Sequence, residues 1–148
     1  MATPLHLVKL CVGCDSIDDL RQWQKRRLAE RRRRGEPARL YHFTRMMPQR
    51  RDEILAGGSL YWVIKGQIRV RQRVLALEAR SDEDGRGFCA IRLGARLVPV
   101  MPQAQRPFQG WRYLAAGVVP PDLIRRGRGP GADAPAEMLA ELRALGLL

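Results

Sequence analysis

Lys65-Gly-Gln-Ile-Arg-Val-Arg-Gln-Arg-Val-Leu-Ala-Leu-Glu78 alternates polar and apolar side chains. A period of two is that of a β-strand, whose side chains point to opposite faces in turn. Arg69, Arg71 and Arg73 then share one face, while Ile68, Val70 and Val74 point the other way. A helix would scatter the three arginines around its circumference. A strand lines them up roughly 6.5 to 7 Å apart, close to the phosphate repeat of a nucleic-acid strand. Residues 67–79 exceed the usual strand length, so the segment predicts a bend or bulge, with the inward face switching near Leu75 and Leu77.

Working outward, residues 60–64 are aromatic and β-branched with few polar positions, the pattern of a buried central strand, and Gly66 breaks the run before the arginine segment. Residues 5–12 read as a short apolar first strand, turned by Gly13-Cys14-Asp15. Ser16 with Asp19 three residues later resembles a capping box with the shorter acid and opens a helix to about residue 34. Ile17, Leu20, Trp23 and Leu28 give that helix a narrow apolar stripe, and Gly35 and Pro37 end it. Its last turns carry Lys25, Arg26, Arg27 and the run Arg31 to Arg34; cations there are favoured by the helix dipole, and a solvated face is the default reading.

Residues 40–45 read as a strand with Leu40, His42 and Thr44 on one face and Tyr41, Phe43 and Arg45 on the other. Pro48 suits the start of a short helix that stops at Gly57-Gly58. A polar hairpin loop at 81–87 joins the arginine strand to a strand at 88–93. Residues 97–101 form a further strand, placed at an edge by Pro99. Residues 106–114 are mixed aromatic and basic. The domain expectation is one globular unit over 1–124, a flexible Arg-Gly-Pro linker over 125–135, and a short amphipathic helix over 136–148.

The net charge is +12, from 24 Arg and 3 Lys against 15 acids. Such a surplus favours anionic partners, and arginine grips phosphate with two parallel hydrogen bonds and stacks on bases. A GC-rich coding sequence yields the same abundance of Arg, Ala, Gly and Pro, so charge argues association and not identity. No apolar run reaches the ~18 residues of a membrane span, and residues 1–10 lack the pattern of a secretory signal. The expectation is a cytoplasmic protein with no membrane partner. Cys11, Cys14 and Cys89 are an odd set without a secretion signal, which argues against a disulfide framework.

Cys11-Val-Gly-Cys14 has the spacing of redox dithiols and zinc knuckles, but no second paired motif supplies further ligands, so no metal and no cofactor is expected. The bland reading makes Cys11 buried filler and Cys14 a loop thiol. His42 has no partner that spacing can name for acid–base work. No nucleophile elbow or phosphate-binding glycine loop occurs. Arg106-Pro-Phe-Gln-Gly-Trp-Arg-Tyr113 interleaves two arginines with Phe108, Trp111 and Tyr113, the ingredients of base stacking flanked by phosphate contacts. The alternative is that Phe108 and Trp111 plug the core while Gln109 and Arg112 face water.

Four blocks in order, Leu5-His-Leu-Val-Lys-Leu-Cys-Val-Gly13, Gly57-Gly-Ser-Leu-Tyr-Trp-Val-Ile-Lys-Gly66, Arg71-Gln-Arg73 and Arg106-Pro-Phe-Gln-Gly-Trp-Arg-Tyr-Leu114, resemble the bacterial domain-of-unknown-function family catalogued as 1489. That family is uncharacterised, so the resemblance implies no catalytic residues. In architecture, a helix stop, a buried strand, a glycine and a long strand resemble PUA-like barrels, which include domains that bind RNA or modified bases. The resulting expectation is an α+β fold: a small curled mixed or antiparallel sheet, PUA-like, with two N-terminal helices packed outside and a short C-terminal helix.

The leading functional expectation is nucleic-acid binding, RNA rather than DNA. Lys65, Arg69, Arg71, Arg73, Arg106 and Arg112 would meet phosphates, and Trp111 and Tyr113 would stack bases. One rival is a small enzyme acting on a nucleotide or other anionic substrate through His42 or Cys11, which a deep cavity around either would favour. The other is an interaction module using the C-terminal helix and the arginine-rich first helix on an acidic protein.

Overall fold

Ser16 starts the long helix as its sequence predicts: Ser16 Oγ accepts the Asp19 N–H at 3.1 Å, and Asp19 Oδ2 reaches back to the Asp15 N–H at 2.9 Å. The shorter acid therefore caps one residue further back than a Glu would. A computed structural model describes residues 3–123; the expected 125–135 linker and 136–148 helix lie outside the described residues. The elements run β1 (Leu5–Leu10), α1 (Ile17–Arg33), β2 (Leu40–Thr44), α2 (Arg51–Leu55), β3 (Ser59–Ile64), β4 (Gln67–Ser81), β5 (Gly87–Leu93), β6 (Val98–Ala104) and β7 (Trp111–Ala115), followed by a 3₁₀ turn (Ala116–Val118).

The fold is α+β. Seven strands form one sheet in the order β2-β5-β4-β3-β1-β7, with β6 pairing β4 off that path. Pairing is antiparallel except between β1 and β3. The sheet does not close: β2 and β7 end it. All six residues of β3 are buried, as its composition predicts for a central strand. The edge expected of Pro99 is met as well, since β6 has β4 as its one strand partner. Within the mixed aromatic and basic segment 106–114, the residues from Trp111 onward pair with β1 as β7.

β4 is the spine of the molecule. Its first half pairs β3 and β6, its second half pairs β5, and the register shifts twice. The second shift, between Val74 and Ala76, is the predicted one: Leu75 is exposed and Leu77 turns inward. The first was not predicted. Trp62 pairs Val70 but Val63 pairs Ile68, which leaves Arg69 as an extra residue in a β-bulge. The bulge flips the face, so Val70 joins the core with Leu7, Leu60 and Trp62, while Ile68 packs on the opposite side with Val8, Tyr61 and Val100. The expected row of Arg69, Arg71 and Arg73 on one face is therefore corrected at Arg69, which the bulge takes out of register; Arg71 and Arg73, opposite Tyr61 and Ser59, keep a common face.

Helix α1 seals the first core with Ile17 and Leu20, each burial contributing about 1.5–3 kcal/mol. Its buried Gln24 exchanges two hydrogen bonds of 2.9 Å with Gln72 of β4, which also accepts from Trp62 Nε1 at 3.1 Å and donates to the Gly94 carbonyl at 2.8 Å. Every polar atom of the Gln72 side chain is thus satisfied within the core. Gly58 lies where α2 turns into β3. A Cβ there would run into the carbonyl oxygens of Leu5 and Ile54, so only glycine permits the approach.

Candidate nucleic-acid interface

The three arginines of β4 have three different environments. Arg69, at the bulge, is 6% exposed; its Nε and Nη2 have no hydrogen-bond partner among the described residues, and burial lowers its pKa. Arg71 grips Asp122 with two hydrogen bonds of 2.8 Å and donates a third to Ser59 Oγ at 3.0 Å. Arg73 alone of the three is exposed. Of the other expected contacts, Lys65 sits at the β3–β4 turn, 4.0 Å from Asp15, and Arg106 is exposed ahead of β7. These cations do not stand as a free row.

Trp111, Arg112 and Tyr113 do come together with other cations. Pairing of β1 with β7 sets Lys9 opposite Trp111. Trp111 Nε1 donates to the Met46 carbonyl at 2.7 Å, and the Arg50 N–H donates to the Tyr113 hydroxyl at 3.1 Å, so β7 is held against the segment leaving β2. A cavity of about 510 Å³ lies along that seam, lined by Lys9, Phe43, Arg45, Trp111 and Arg112 among others. Trp111 also packs on the core cluster, and Arg112 lies over the Phe108 ring at 5.1 Å. The stacking and plugging alternatives are therefore partly combined: Trp111 fills space on one side and lines a cavity on the other.

Phe43 is the hinge of the surface. Strand alternation turns it away from His42 and leaves it 49% exposed, stacked parallel to Tyr41 with ring centres 6.3 Å apart. It lines both the seam and a second cavity of about 190 Å³ between α1 and β2, where Arg27, Arg31, Arg34 and Arg39 gather. Arg31 and Arg80 lie over the Tyr41 ring at 5.3 and 4.6 Å. The two cavities share Phe43 and together are lined by seven cations, one carboxylate, Glu30, and the rings of Tyr41 and Trp111; Arg34 and Arg45 are paired just outside them with Glu36 at 3.9 Å and Asp82 at 3.5 Å.

Sequence reasoning missed Lys9, Phe43 and Arg45 as neighbours of Trp111, since both the β1–β7 register that brings Lys9 and the Trp111–Met46 bond that brings the end of β2 are long-range. The arginines of α1 carried a signal, the Arg31 to Arg34 run, which was read as a solvated helix end.

A third cavity, of about 620 Å³, opens between the end of β1 and α1 and is lined by Cys11, Cys14, Trp23, Arg26, His42 and Trp62 among others. His42 meets Trp62 edge to face at 4.9 Å. Burial, reinforced by Lys9 and Arg27, lowers its pKa to about 4, and its Nε2 has no hydrogen-bond partner among the described residues. Burial and a hydrogen bond with Cys14 push the Cys11 thiol far up. Both groups are neutral near pH 7. Among the described residues no three His, Cys, Asp or Glu side chains converge as a metal-binding group.

Residues 7–148 match the model of a family described as a protein of unknown function, DUF1489. No curated protein and no solved structure matches the chain.

Proposed function

The chain belongs to DUF1489, a family of unknown function, and we propose that it binds single-stranded nucleic acid, RNA before DNA, along the groove bridged by Phe43. The observation that carries this reading is the charge and rings gathered about Phe43: of the seven lining cations, Arg34 and Arg45 pair with Glu36 and Asp82, while Lys9, Arg27, Arg31, Arg39 and Arg112 have no carboxylate partner among the described residues, and Tyr41 and Trp111 stand among them. Cations that track a backbone and aromatic faces that stack bases are what a single strand requires, and unstacked bases are commonest in RNA loops and ends. Of the residues expected from sequence, Trp111 and Arg112 stand in this groove. A PUA-like arrangement is supported by β4 pairing on both halves of its length and by the Trp111–Met46 bond that links β7 to the segment after β2.

Binding of a short mixed-sequence RNA, and of DNA of the same sequence, measured by fluorescence anisotropy at rising salt, tests the groove. Joint Arg27→Gln, Arg39→Gln and Arg112→Gln substitution reduces the log–log salt slope by about 2, at roughly 0.7 per lost phosphate contact, whereas Arg73→Gln leaves it unchanged. A slope unaltered in the triple variant refutes the groove, and equal affinity for the two strands refutes the RNA preference.

The cavity around Cys11 and His42 favours a second reading, an enzyme acting on a nucleotide. Its chemistry weighs the other way. A histidine with a pKa near 4 is a weak base at pH 7, and a thiol pushed far up is a poor nucleophile there. The cavity is suited to binding rather than to proton or acyl transfer by these two groups.

A further inference from the structure

Cys11 leaves β1 with its N–H fixed on the Val63 carbonyl at 2.8 Å, and Cys14 comes two residues before the Ser16 cap of α1. Between them Gly13 has φ +84°, the left-handed conformation that lets the chain reverse in two residues. The Cys14 N–H donates to the Cys11 carbonyl at 3.4 Å, which closes the turn between the two thiols. A four-residue turn holds its end Cα atoms within about 7 Å, inside the span a disulfide tolerates. Both thiols are free and partly exposed, and both line the 620 Å³ cavity with Trp23. No third His, Cys, Asp or Glu converges on them among the described residues. Cys89 differs in every respect: it is fully buried, packed in the core, and its pKa is pushed up to about 11.

We propose that Cys11 and Cys14 are a redox pair, converted by a low-molecular-weight disulfide into a reversible disulfide across the turn that walls the cavity. The exchange takes two steps. The Cys14 thiolate attacks one sulfur of the small disulfide, forming a mixed disulfide and expelling one small thiolate. Cys11 then gives its proton to solvent and attacks the Cys14 sulfur, and a second small thiolate leaves; attack within one four-residue turn offsets the small thiolate fraction of Cys11. The protein loses two hydrogens and two electrons, and the small disulfide becomes two thiols. Cys14 acts first because burial and its neighbour hold the proton on Cys11. The inference stands independently of nucleic-acid binding.

The full chain is incubated with glutathione buffers of graded ratio, quenched with acid, denatured and labelled with a maleimide. The expected result is loss of two of the three labels with a mass lower by two hydrogens and no retained glutathione, a Cys11–Cys14 link in the digested peptides, and full return in excess reduced glutathione. Tryptophan fluorescence falls on oxidation, because the new disulfide quenches Trp23 across the same cavity. Cys14→Ser and Cys11→Ala each abolish the link and the fluorescence change. A stable glutathione adduct on wild-type Cys14 with Cys11 still labelled would overturn the proposal, as would three labels retained at every ratio. An unfolded variant is recognised by Cys89, which reacts with maleimide without denaturant only when the core is open.

Discussion

His42 shows how a single residue's surroundings decide what it can do. Strand alternation sends it inward against Trp62, with the cations Lys9 and Arg27 nearby, and its pKa falls from about 6.5 when unfolded to about 4. The folded state therefore stays neutral while the unfolded chain takes up a proton between those values. Stability from this group is present above pH 6.5 and is lost as the pH falls towards 4. Wild-type protein should lose about 2 kcal/mol through this residue between pH 6.5 and 5, at 1.36 kcal/mol per unit. His42→Gln, compared by urea unfolding at both pH values, should lose less by about that amount; an identical loss in the two proteins would contradict the burial of a neutral imidazole. Strand parity sets His42 on one face with Leu40 and Thr44, but its neutrality is not legible in the sequence, because the burial that chiefly causes it comes from tertiary packing, with Lys9 and Arg27 adding to it.

At the scale of the element, periodicity served where pairing was regular. The cap of α1, the buried β3 and the edge position of β6 followed from Ser16, from the run Leu60 to Ile64 and from Pro99. Periodicity failed at Arg69, because a bulge depends on the partner strand, and nothing in Ile68-Arg69-Val70 distinguishes an extra residue from a paired one. It failed again at β7, whose strand character comes from pairing with β1 across more than a hundred residues of chain. Helix and sheet are joined by Gln24 and Gln72, and this junction carries a test. Gln72→Leu leaves Gln24, the Trp62 indole N–H and the Gly94 carbonyl without partners in a buried site, and should cost about 2–4 kcal/mol in urea unfolding. A loss below about 0.5 kcal/mol would show that the junction is not what fastens α1.

At the scale of the whole molecule, the charge of +12 was plain from composition, but its distribution was not. Arg71 is neutralised by Asp122, a residue fifty-one positions away, and Arg69 is taken out of reach by the bulge. The cations that gather do so because α1 lies beside β2 and β7 returns beside β1. Those placements bring together Arg27, Arg31, Lys9 and Arg112 from segments far apart in sequence, with Phe43 between them. Fold class was thus legible, and the site was legible only in Trp111 and Arg112, whose aromatic and basic spacing is local.

Ultraviolet crosslinking of the full protein to a mixed-sequence single-stranded RNA, followed by digestion and mass identification of the adducts, tests the groove most directly. Adducts on the peptides carrying Phe43 and Trp111, lost when excess unlabelled RNA is present, are the predicted result. Adducts confined to the peptides of β4, or none above the level of a non-binding control protein, would contradict it.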